Sequence, residues 1–362
     1  MASAGAMLKL ARQRRGIRQN EAAVKLGVSP SDLSRIENDA KEPSLALLEA
    51  ASKVFNVPAN FFDLADRIYG APVSVHPMWR KKADVSGAEL DAVIAELNIR
   101  VMHLRRLLQA TDLNPVRTIP KFDIEEYGDP ERIAALLRAH WMMPRGPVPN
   151  VTQILEEAGI VVAHSNMGGS SISGVTFRVP GMPPLIVVNS DQPGDRMRHT
   201  LCHELGHIVM HQFPSPNMEK EADHFAGCFL APAADIRPHF GTGRVDLRKL
   251  AALKPVWKMS MASLVFAADR VGKLTTAQKN YIWQQFSIAK IRTSEPPELD
   301  FPREQPTVIS SLLKLHIENL GYGIADLASV LAMSVDELPD FYDLTSILGP
   351  KPSRPAGLRI VK

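Results

Sequence analysis

The segment from Gly194 to Gln212 limits most strongly what this chain can fold into, because a helical pattern there carries two regularly spaced histidines. Its apolar residues recur at three- and four-residue steps and predict one buried stripe: Met197, Leu201, Leu205 and Ile208. Histidines four residues apart lie on one side of a helix, so His203 and His207 can both bind one Zn²⁺ ion. Glu204 lies beside that face and is placed to take a proton from a water that the metal activates. The segment therefore predicts a helix with a catalytic zinc site.

A second helical segment, Met218 to Ala226, offers the third protein ligand that a tetrahedral zinc site requires. Glu219 and Asp223 share a face, so Glu219 can complete the metal shell while Asp223 accepts a hydrogen bond from a ligand histidine. Glu221 lies about 200° around the helix from Glu219, so it is not expected to bind zinc and its replacement is expected to be nearly silent. His211 continues the histidine spacing, but helical drift is expected to carry it off the metal face.

Short apolar segments before the metal helix predict β-strands at Ile160–Ala163, Val175–Phe177 and Leu185–Val188. A peptidase often holds an extended peptide by adding it to the edge of a sheet. An edge strand in this region is therefore a candidate for peptide binding.

Further segments accompany the metal helix: Gly146-Pro147-Val148, Leu155-Glu156-Glu157-Ala158-Gly159-Ile160, Ile186-Val187-Val188-Asn189, Arg198 to His207, Glu219 to Ala226 and Leu230-Ala231-Pro232. Together they make residues of about 130–290 resemble the ImmA/IrrE family of metallo-endopeptidases. The resemblance implies a zinc endopeptidase that cuts a transcriptional repressor, often under genotoxic stress or in mobile elements. Some relatives carry a helix-turn-helix domain on the same chain. Most relatives have Ala in place of Cys202, and we expect Cys202 and Cys228 to fill core space.

The first 65 residues predict a bundle of short helices at Gly5–Arg15, Gln19–Leu26, Ser29–Asn38 and Leu45–Phe55. Gly27 can take the left-handed turn between the second and third helices, and Ser29 can cap the third. Ala23 is small where the two helices cross, and Leu33 and Ile36 point inward. This pairing is the geometry that places a helix in the DNA major groove.

Four motifs within residues 7–62 resemble the phage-repressor (XRE-type) class of helix-turn-helix domains: Arg18-Gln19, Leu26-Gly27-Val28-Ser29, Leu33-Ser34-Arg35-Ile36-Glu37 and Glu42-Pro43-Ser44. The resemblance implies that Gln19 touches phosphate and that four residues face the groove: Ser29, Pro30, Ser31 and Arg35. Arg35 is the candidate for a base contact, because a guanidinium can pair with O6 and N7 of guanine. Arg18 is expected to bind DNA without reading its sequence. The expected partner is a double-stranded DNA operator, bound by a homodimer because one such module contacts one half-site.

The end of the chain repeats its beginning at an offset of 305 residues: Leu10, Gly16, Ala23, Leu26, Ser29 and Leu33 match Leu315, Gly321, Ala328, Leu331, Ser334 and Leu338. The match fails at DNA-facing positions, where Arg18 becomes Gly323 and Arg35 becomes Asp340. Residues 1–35 carry seven Lys and Arg against two carboxylates, whereas residues 300–345 carry two against eight. Phosphate would repel the acidic block. We therefore predict a degenerate helix-turn-helix domain that packs or binds a partner protein.

The region between the first domain and the metal-binding region opens with a basic stretch, Trp79-Arg80-Lys81-Lys82. The helical pattern that follows, from about Ser86 to Gln109, predicts either a packed connector or a dimerising coiled coil. The 362 residues then divide into a helix-turn-helix domain (1–65), a basic linker with connector helix (66–122), a zincin-like metallopeptidase domain (123–291), a degenerate helix-turn-helix-like domain (307–345) and a tail (346–362).

We expect a mainly α-helical protein with a small mixed β-sheet: an N-terminal helix-turn-helix bundle, a central zincin-like α+β domain and a C-terminal degenerate helix-turn-helix-like domain. No run of about 18 apolar residues predicts a membrane span. The N-terminus lacks the apolar core of a secretory signal, and two cysteines form no disulfide framework. The expected location is therefore the cytoplasm, with no membrane partner.

Two functions remain open. In the first, the chain is a DNA-binding transcriptional regulator whose zinc-dependent endopeptidase domain cleaves a repressor protein in a stress or mobile-element response. In the second, it is a non-proteolytic transcription factor whose zincin domain senses a metal, a ligand or a partner. The complete set of His203, Glu204, His207 and Glu219 favours the first, because a pure sensor does not need the base Glu204.

Overall fold

The computed structural model describes residues 2–72, 87–167 and 172–344, so the basic stretch 79–82 and the tail 346–362 lie outside the described residues. The described residues form two compact units. The first unit is drawn from Met1–Gly70, Ser86–Leu113 and Thr307–Lys362, and the second from Ala71–Val85 and Asn114–Pro306. Both are largely helical, and the second holds a three-stranded mixed sheet. The predicted fold class is confirmed.

The first unit begins with α1 (Ala4–Arg14), α2 (Gln19–Leu26), α3 (Pro30–Glu37) and α4 (Leu45–Phe55), followed by a 3₁₀ turn at Ala59–Phe61. Gly27 ends α2 with a φ of 67°, a left-handed conformation that glycine adopts without strain. Ser29 begins α3 by accepting a hydrogen bond from the backbone N–H of Asp32. Leu33 and Ile36 are buried, as expected for a helix held against its neighbours by one face.

A long helix, α5 (Gly87–Leu107), packs against α1 in the same unit. Every residue from Leu97 to Leu104 is buried, including the polar side chains of Asn98, Arg100 and His103. A helix that is buried on all sides is part of a protein core, whereas a helix in a dimeric coiled coil would leave one face exposed for the second chain. The structure therefore favours a packed connector over a dimerising coiled coil.

The second unit contains α6 (Ile124–Tyr127), α7 (Pro130–His140), α8 (Val151–Glu157), β1 (Val161–Ser165), β2 (Gly174–Phe177), β3 (Leu185–Asn189), α9 (Gly194–Met210), α10 (Met218–Leu230), α11 (Ala233–Phe240), α12 (Leu247–Trp257), α13 (Met261–Arg270) and α14 (Thr276–Ile288). The strand order is β1-β3-β2, with β1 parallel and β2 antiparallel to β3. Strand β2 therefore lies at an edge of this sheet, and α9 packs against both β2 and β3. Among the described residues no single helix could span a membrane, and α12 and α13 reach that length and apolarity only as a pair bent by 101°.

Helices α9 and α10 pack closely because of Gly206, which lies inside the histidine motif. A Cβ at this position would be 3.1 Å from Cδ1 of Phe225 and 3.3 Å from Cα of Ala222. Larger residues would push the two helices apart. The glycine thus brings the first turns of α10 within reach of the histidines on α9.

The last three helices, α15 (Val308–Glu318), α16 (Ile324–Val330) and α17 (Leu338–Phe341), return to the first unit. Three apolar positions of the repeat are buried, as are their counterparts near the N-terminus: Ala328, Leu331 and Leu338, matching Ala23, Leu26 and Leu33. Whereas α3 has eight residues, α17 has four. The acidic block also contacts basic α1, because Glu337 accepts hydrogen bonds from Arg15 at 2.7 and 2.9 Å and from Arg14 at 3.1 Å.

Candidate metal centre and nucleic-acid interface

Three ligand atoms from α9 and α10 converge. The Nε2 atoms of His203 and His207 are 3.0 Å apart. The Glu219 carboxylate places Oε2 at 3.5 Å from Nε2 of His203 and Oε1 at 3.3 Å from Nε2 of His207. Atoms that lie about 2.0–2.1 Å from a tetrahedral zinc ion are about 3.3 Å from one another. The spacing of the three side chains therefore fits a zinc ion.

The hydrogen bonding of Glu219 supports the same fit. Its Oε1 atom is buried and has no hydrogen-bond partner among the described residues, since the 3.3 Å contact to His207 has ion-pair distance without hydrogen-bond geometry. A buried carboxylate oxygen without a donor is costly, and a cation beside it would satisfy it.

Electrostatic interactions within the cluster shift two pKa values. Burial disfavours the charged form of His203, but hydrogen bonds to Asp223 and Glu219 outweigh burial and raise its pKa to about 10. Burial likewise opposes ionisation of Glu219, but its interactions with His203 and His207 outweigh burial and lower its pKa to about 2. Positive charge is therefore stabilised at the point where the three ligand atoms meet.

His203 is held by Asp223, the carboxylate one turn beyond Glu219 on α10. Nδ1 of His203 lies 2.8 Å from Oδ1 of Asp223. When Nδ1 donates this hydrogen bond, the lone pair of the ring remains on Nε2, the atom that faces His207 and Glu219. This contact has the geometry required for the role predicted for Asp223, which is to accept a hydrogen bond from a metal-binding histidine.

His207 is held by a contact that the helical spacing did not predict. Its Nδ1 lies 2.9 Å from Nδ1 of His211, and Nε2 of His211 lies 3.0 Å from Oε2 of Glu221. His211 is not one of the three converging ligand atoms; α9 ends at Met210, and the extended backbone of His211 places its ring against Nδ1 of His207. The only sequence signal for this chain of contacts was the presence of an unassigned histidine and an unassigned carboxylate near the motif.

Glu204 is almost fully buried, with 1% of its surface exposed. Its Oε2 accepts a hydrogen bond from Oγ1 of Thr176 at 2.7 Å. Thr176 lies on the edge strand β2, opposite Ile186 of β3. The sequence contained no signal for Thr176, because the pairing of β2 with β3 decides which of its residues points at α9.

The predicted DNA-binding residues lie around the turn between α2 and α3 in the first unit. Five of them are exposed: Arg18, Ser29, Pro30, Ser31 and Arg35. Asp32, which would place negative charge near phosphate, is 2.8 Å from Nζ of Lys41. Hydrogen bonds from Lys41 and Ser29 lower its pKa. Lys41 therefore offsets a charge that would oppose DNA.

Gln19 differs from the other five because it is half-buried and engaged inside the domain. Its Nε2 donates to Oε2 of Glu37 at 2.8 Å, and Glu37 also accepts two hydrogen bonds from Arg12 at 2.6 and 2.8 Å. Arg12, Arg14 and Arg15 thus form ion pairs within the first unit. Part of the basic charge of residues 1–35 is therefore used in ion pairs within the domain. Fewer positive charges are left to face DNA than the composition of this segment indicates.

Comparison with known families identifies both regions. Residues 155–268, which include α9 and α10, match the Peptidase M78 family, described as the IrrE N-terminal-like domain. Residues 8–62 match the helix-turn-helix family. No curated protein matches the chain. The two resemblances found in the sequence are confirmed, and this chain is a fusion of a DNA-binding helix-turn-helix domain with an IrrE-like domain of the Peptidase M78 family.

Proposed function

We propose that this chain is a cytoplasmic transcriptional regulator whose IrrE-like domain is an active zinc-dependent endopeptidase. The observation that carries the proposal is the convergence of His203 and His207 of α9 with Glu219 of α10 at tetrahedral spacing; α9 also carries Glu204. The proposed substrate is a transcriptional repressor, cleaved in a stress or mobile-element response. The helix-turn-helix domain of a homodimer would bring the peptidase to the operator where that repressor acts.

His203, His207 and Glu219 would hold the zinc ion through two Nε2 atoms and one carboxylate. When bound, zinc supplies Lewis acidity that makes a water molecule and a substrate carbonyl more reactive. Thr176 donates to Oε2 of Glu204, which leaves Oε1 of Glu204 to accept the proton of the attacking water. The same carboxyl group then returns that proton to the departing amine.

The edge strand β2 supports a peptide as the substrate. An extended peptide that adds to the edge of a sheet binds through backbone hydrogen bonds, and pockets for its alternate side chains give specificity. Thr176 belongs to this strand and touches Glu204, so a peptide along β2 would have its backbone beside the proposed base.

The burial of Glu204 favours one alternative, a non-proteolytic regulator whose zincin domain senses a metal, a ligand or a partner. Only 1% of the surface of Glu204 is exposed. Glu204 can therefore act as a base only if the site opens, or if the substrate reaches Glu204 from the side where the metal ligands lie. A sensor has no such requirement.

New protein N-termini distinguish the two functions. Cells that express the wild type, Glu204→Gln or the control Glu126→Gln are compared by N-terminal proteomics; Glu126 is an exposed residue of α6. We expect a cleavage product of a DNA-binding repressor in the wild type and the control, and its loss in Glu204→Gln. Identical N-termini in all three strains, with zinc content and DNA binding retained, would establish the sensor and overturn the peptidase.

A further inference from the structure

A second group of metal-binding side chains lies between α7 and α10, and it shares no residue with the candidate metal centre. The ligand atoms of Glu131, His224 and Cys228 all lie within 4.8 Å of one another. His224 and Cys228 are four residues apart and share one face of α10. Glu131 comes from the first turn of α7, a helix that packs along α10.

We propose that Glu131, His224 and Cys228 form a second cation site, selective for a borderline divalent metal such as Zn²⁺ or Co²⁺. A thiolate, an imidazole and a carboxylate together suit such metals and not Mg²⁺ or Ca²⁺, which prefer oxygen ligands only. Three protein ligands leave a fourth position for solvent or for a further carboxylate. Asp129 is near enough to serve, since its Oδ1 lies 3.9 Å from Nδ1 of His224.

The Glu131 carboxylate forms no close ion pair with its basic neighbour. Arg270 is the neighbouring base, but its Nε lies 3.7 Å from Oε1 of Glu131 and, among the described residues, this buried nitrogen has no hydrogen-bond partner. The guanidinium donates instead to the carbonyl of Ala231. Glu131 therefore lies near the positive charge of Arg270 but accepts no hydrogen bond from it. Its carboxylate oxygens remain available to bind a metal ion.

A redox role for Cys228 is disfavoured by its surroundings. Cys228 is 2% exposed, and burial raises the pKa of its thiol to about 12. Reactive cysteines have lowered pKa values and solvent access, so Cys228 is a poor nucleophile. A thiol next to an imidazole and a carboxylate is more useful as a ligand, because a bound cation displaces the thiol proton.

Access and geometry permit binding. A cavity of about 720 Å³ is lined in part by His224, Gly227 and Arg270, so it reaches the His224 side of the cluster. Ligand atoms around one zinc ion are roughly 3.3–3.7 Å apart, so a cluster whose ligand atoms lie within 4.8 Å of one another needs a contraction of at most about 1–1.5 Å. The side chain of His224 is 43% exposed and can turn without moving α10. Because α10 also carries Glu219 and Asp223, an ion here would hold the helix that completes the candidate metal centre.

Cobalt binding tests the proposal on the full-length protein, because a thiolate ligand gives Co²⁺ a near-ultraviolet charge-transfer band that nitrogen and oxygen ligands do not. The candidate metal centre has no sulfur ligand. We expect titration with Co²⁺ alone to produce this band in the wild type and in Cys202→Ala, the matched change at the other buried cysteine. Cys228→Ala should abolish the band.

His224→Ala guards against misfolding of the Cys228 variant, since His224 lies at the surface. We expect it to weaken the Co²⁺ affinity of the thiolate site by more than about 100-fold, because it removes a direct ligand. In zinc titrations measured by metal analysis, each of these two variants should bind one ion fewer than the wild type. A wild type without the band, a band that survives Cys228→Ala, or an unchanged Co²⁺ affinity in His224→Ala would overturn the second site, whatever the outcome for the peptidase.

Discussion

The Nδ1 atom of His207 lies 2.9 Å from the Nδ1 atom of His211, so one imidazole orients another. If Nε2 of His207 binds a metal, its proton must be on Nδ1 and is donated to His211. The proton of His211 is then on Nε2, where Glu221 accepts it at 3.0 Å. One pattern of protons satisfies all three side chains.

This chain of hydrogen bonds gives Glu221 a role that its helical angle does not indicate. We predict that His211→Ala and Glu221→Ala each lower zinc affinity by about 10–100-fold, as the loss of an outer partner of a metal-bound histidine does. Zinc content after dialysis against a weak chelator measures the effect. Full zinc retention in Glu221→Ala would mean that His211 orients His207 without help.

Glu219→Ala should lose zinc more completely than Asp223→Ala, because a direct ligand contributes more than the partner of a ligand. The same dialysis series compares the two variants side by side. If Asp223→Ala empties the site while Glu219→Ala does not, the assignment of Glu219 as third ligand is wrong.

Thr176→Val tests whether the hydrogen bond to Glu204 matters for catalysis. We predict a loss in cleavage rate of about 10-fold with unchanged zinc content, against at least about 100-fold for Glu204→Gln. Thr152→Val is the matched control, because the hydroxyl of Thr152 is also buried but has no hydrogen-bond partner among the described residues. Equal rates for Thr176→Val and the control would show that Glu204 needs no such support.

Arg35→Ala and Arg18→Ala should affect DNA binding differently. Loss of a base contact at Arg35 is expected to cost about 1–3 kcal/mol on the operator and to relax sequence preference. Loss of Arg18 should weaken all sequences alike and reduce the salt dependence of binding. Binding to an operator and to scrambled DNA at several salt concentrations measures both effects. Unchanged binding in both variants would disprove the assigned surface.

Glu337→Gln should destabilise the first unit in a pH-dependent way. Burial opposes ionisation of Glu337, but Arg15 and Arg14 outweigh it and lower its pKa below the ordinary 4.5. Such a carboxylate stabilises the folded state above its unfolded pKa, and that stability is lost as pH falls through the folded pKa. The variant should therefore lose roughly 1–3 kcal/mol at neutral pH, and the difference should close in acid. Amide exchange of α1 peptides reports it; a difference that stays constant with pH would count against the ion pair.

Local spacing made several features predictable. His203 and His207 share a face because the helix repeats every 3.6 residues, and Gly27 and Ser29 mark a turn and a cap that depend on their own backbone and side chains. Glu219 and Asp223 follow from the same periodicity. Each of these relationships involves residues a few positions apart, so the local geometry of the backbone largely determines which side chains lie close together.

Tertiary packing decided the rest. Thr176 reaches Glu204 across 28 positions because β2 takes a particular register on β3, and His211 reaches Glu221 because α9 ends where it does. Glu337 meets Arg15 across 322 positions. Such contacts depend on how distant segments share one core, and no short window of sequence contains that information. The sequence by itself therefore determined the two family resemblances and predicted the two candidate sites, whereas only the fold decided which side chains contact the predicted site residues.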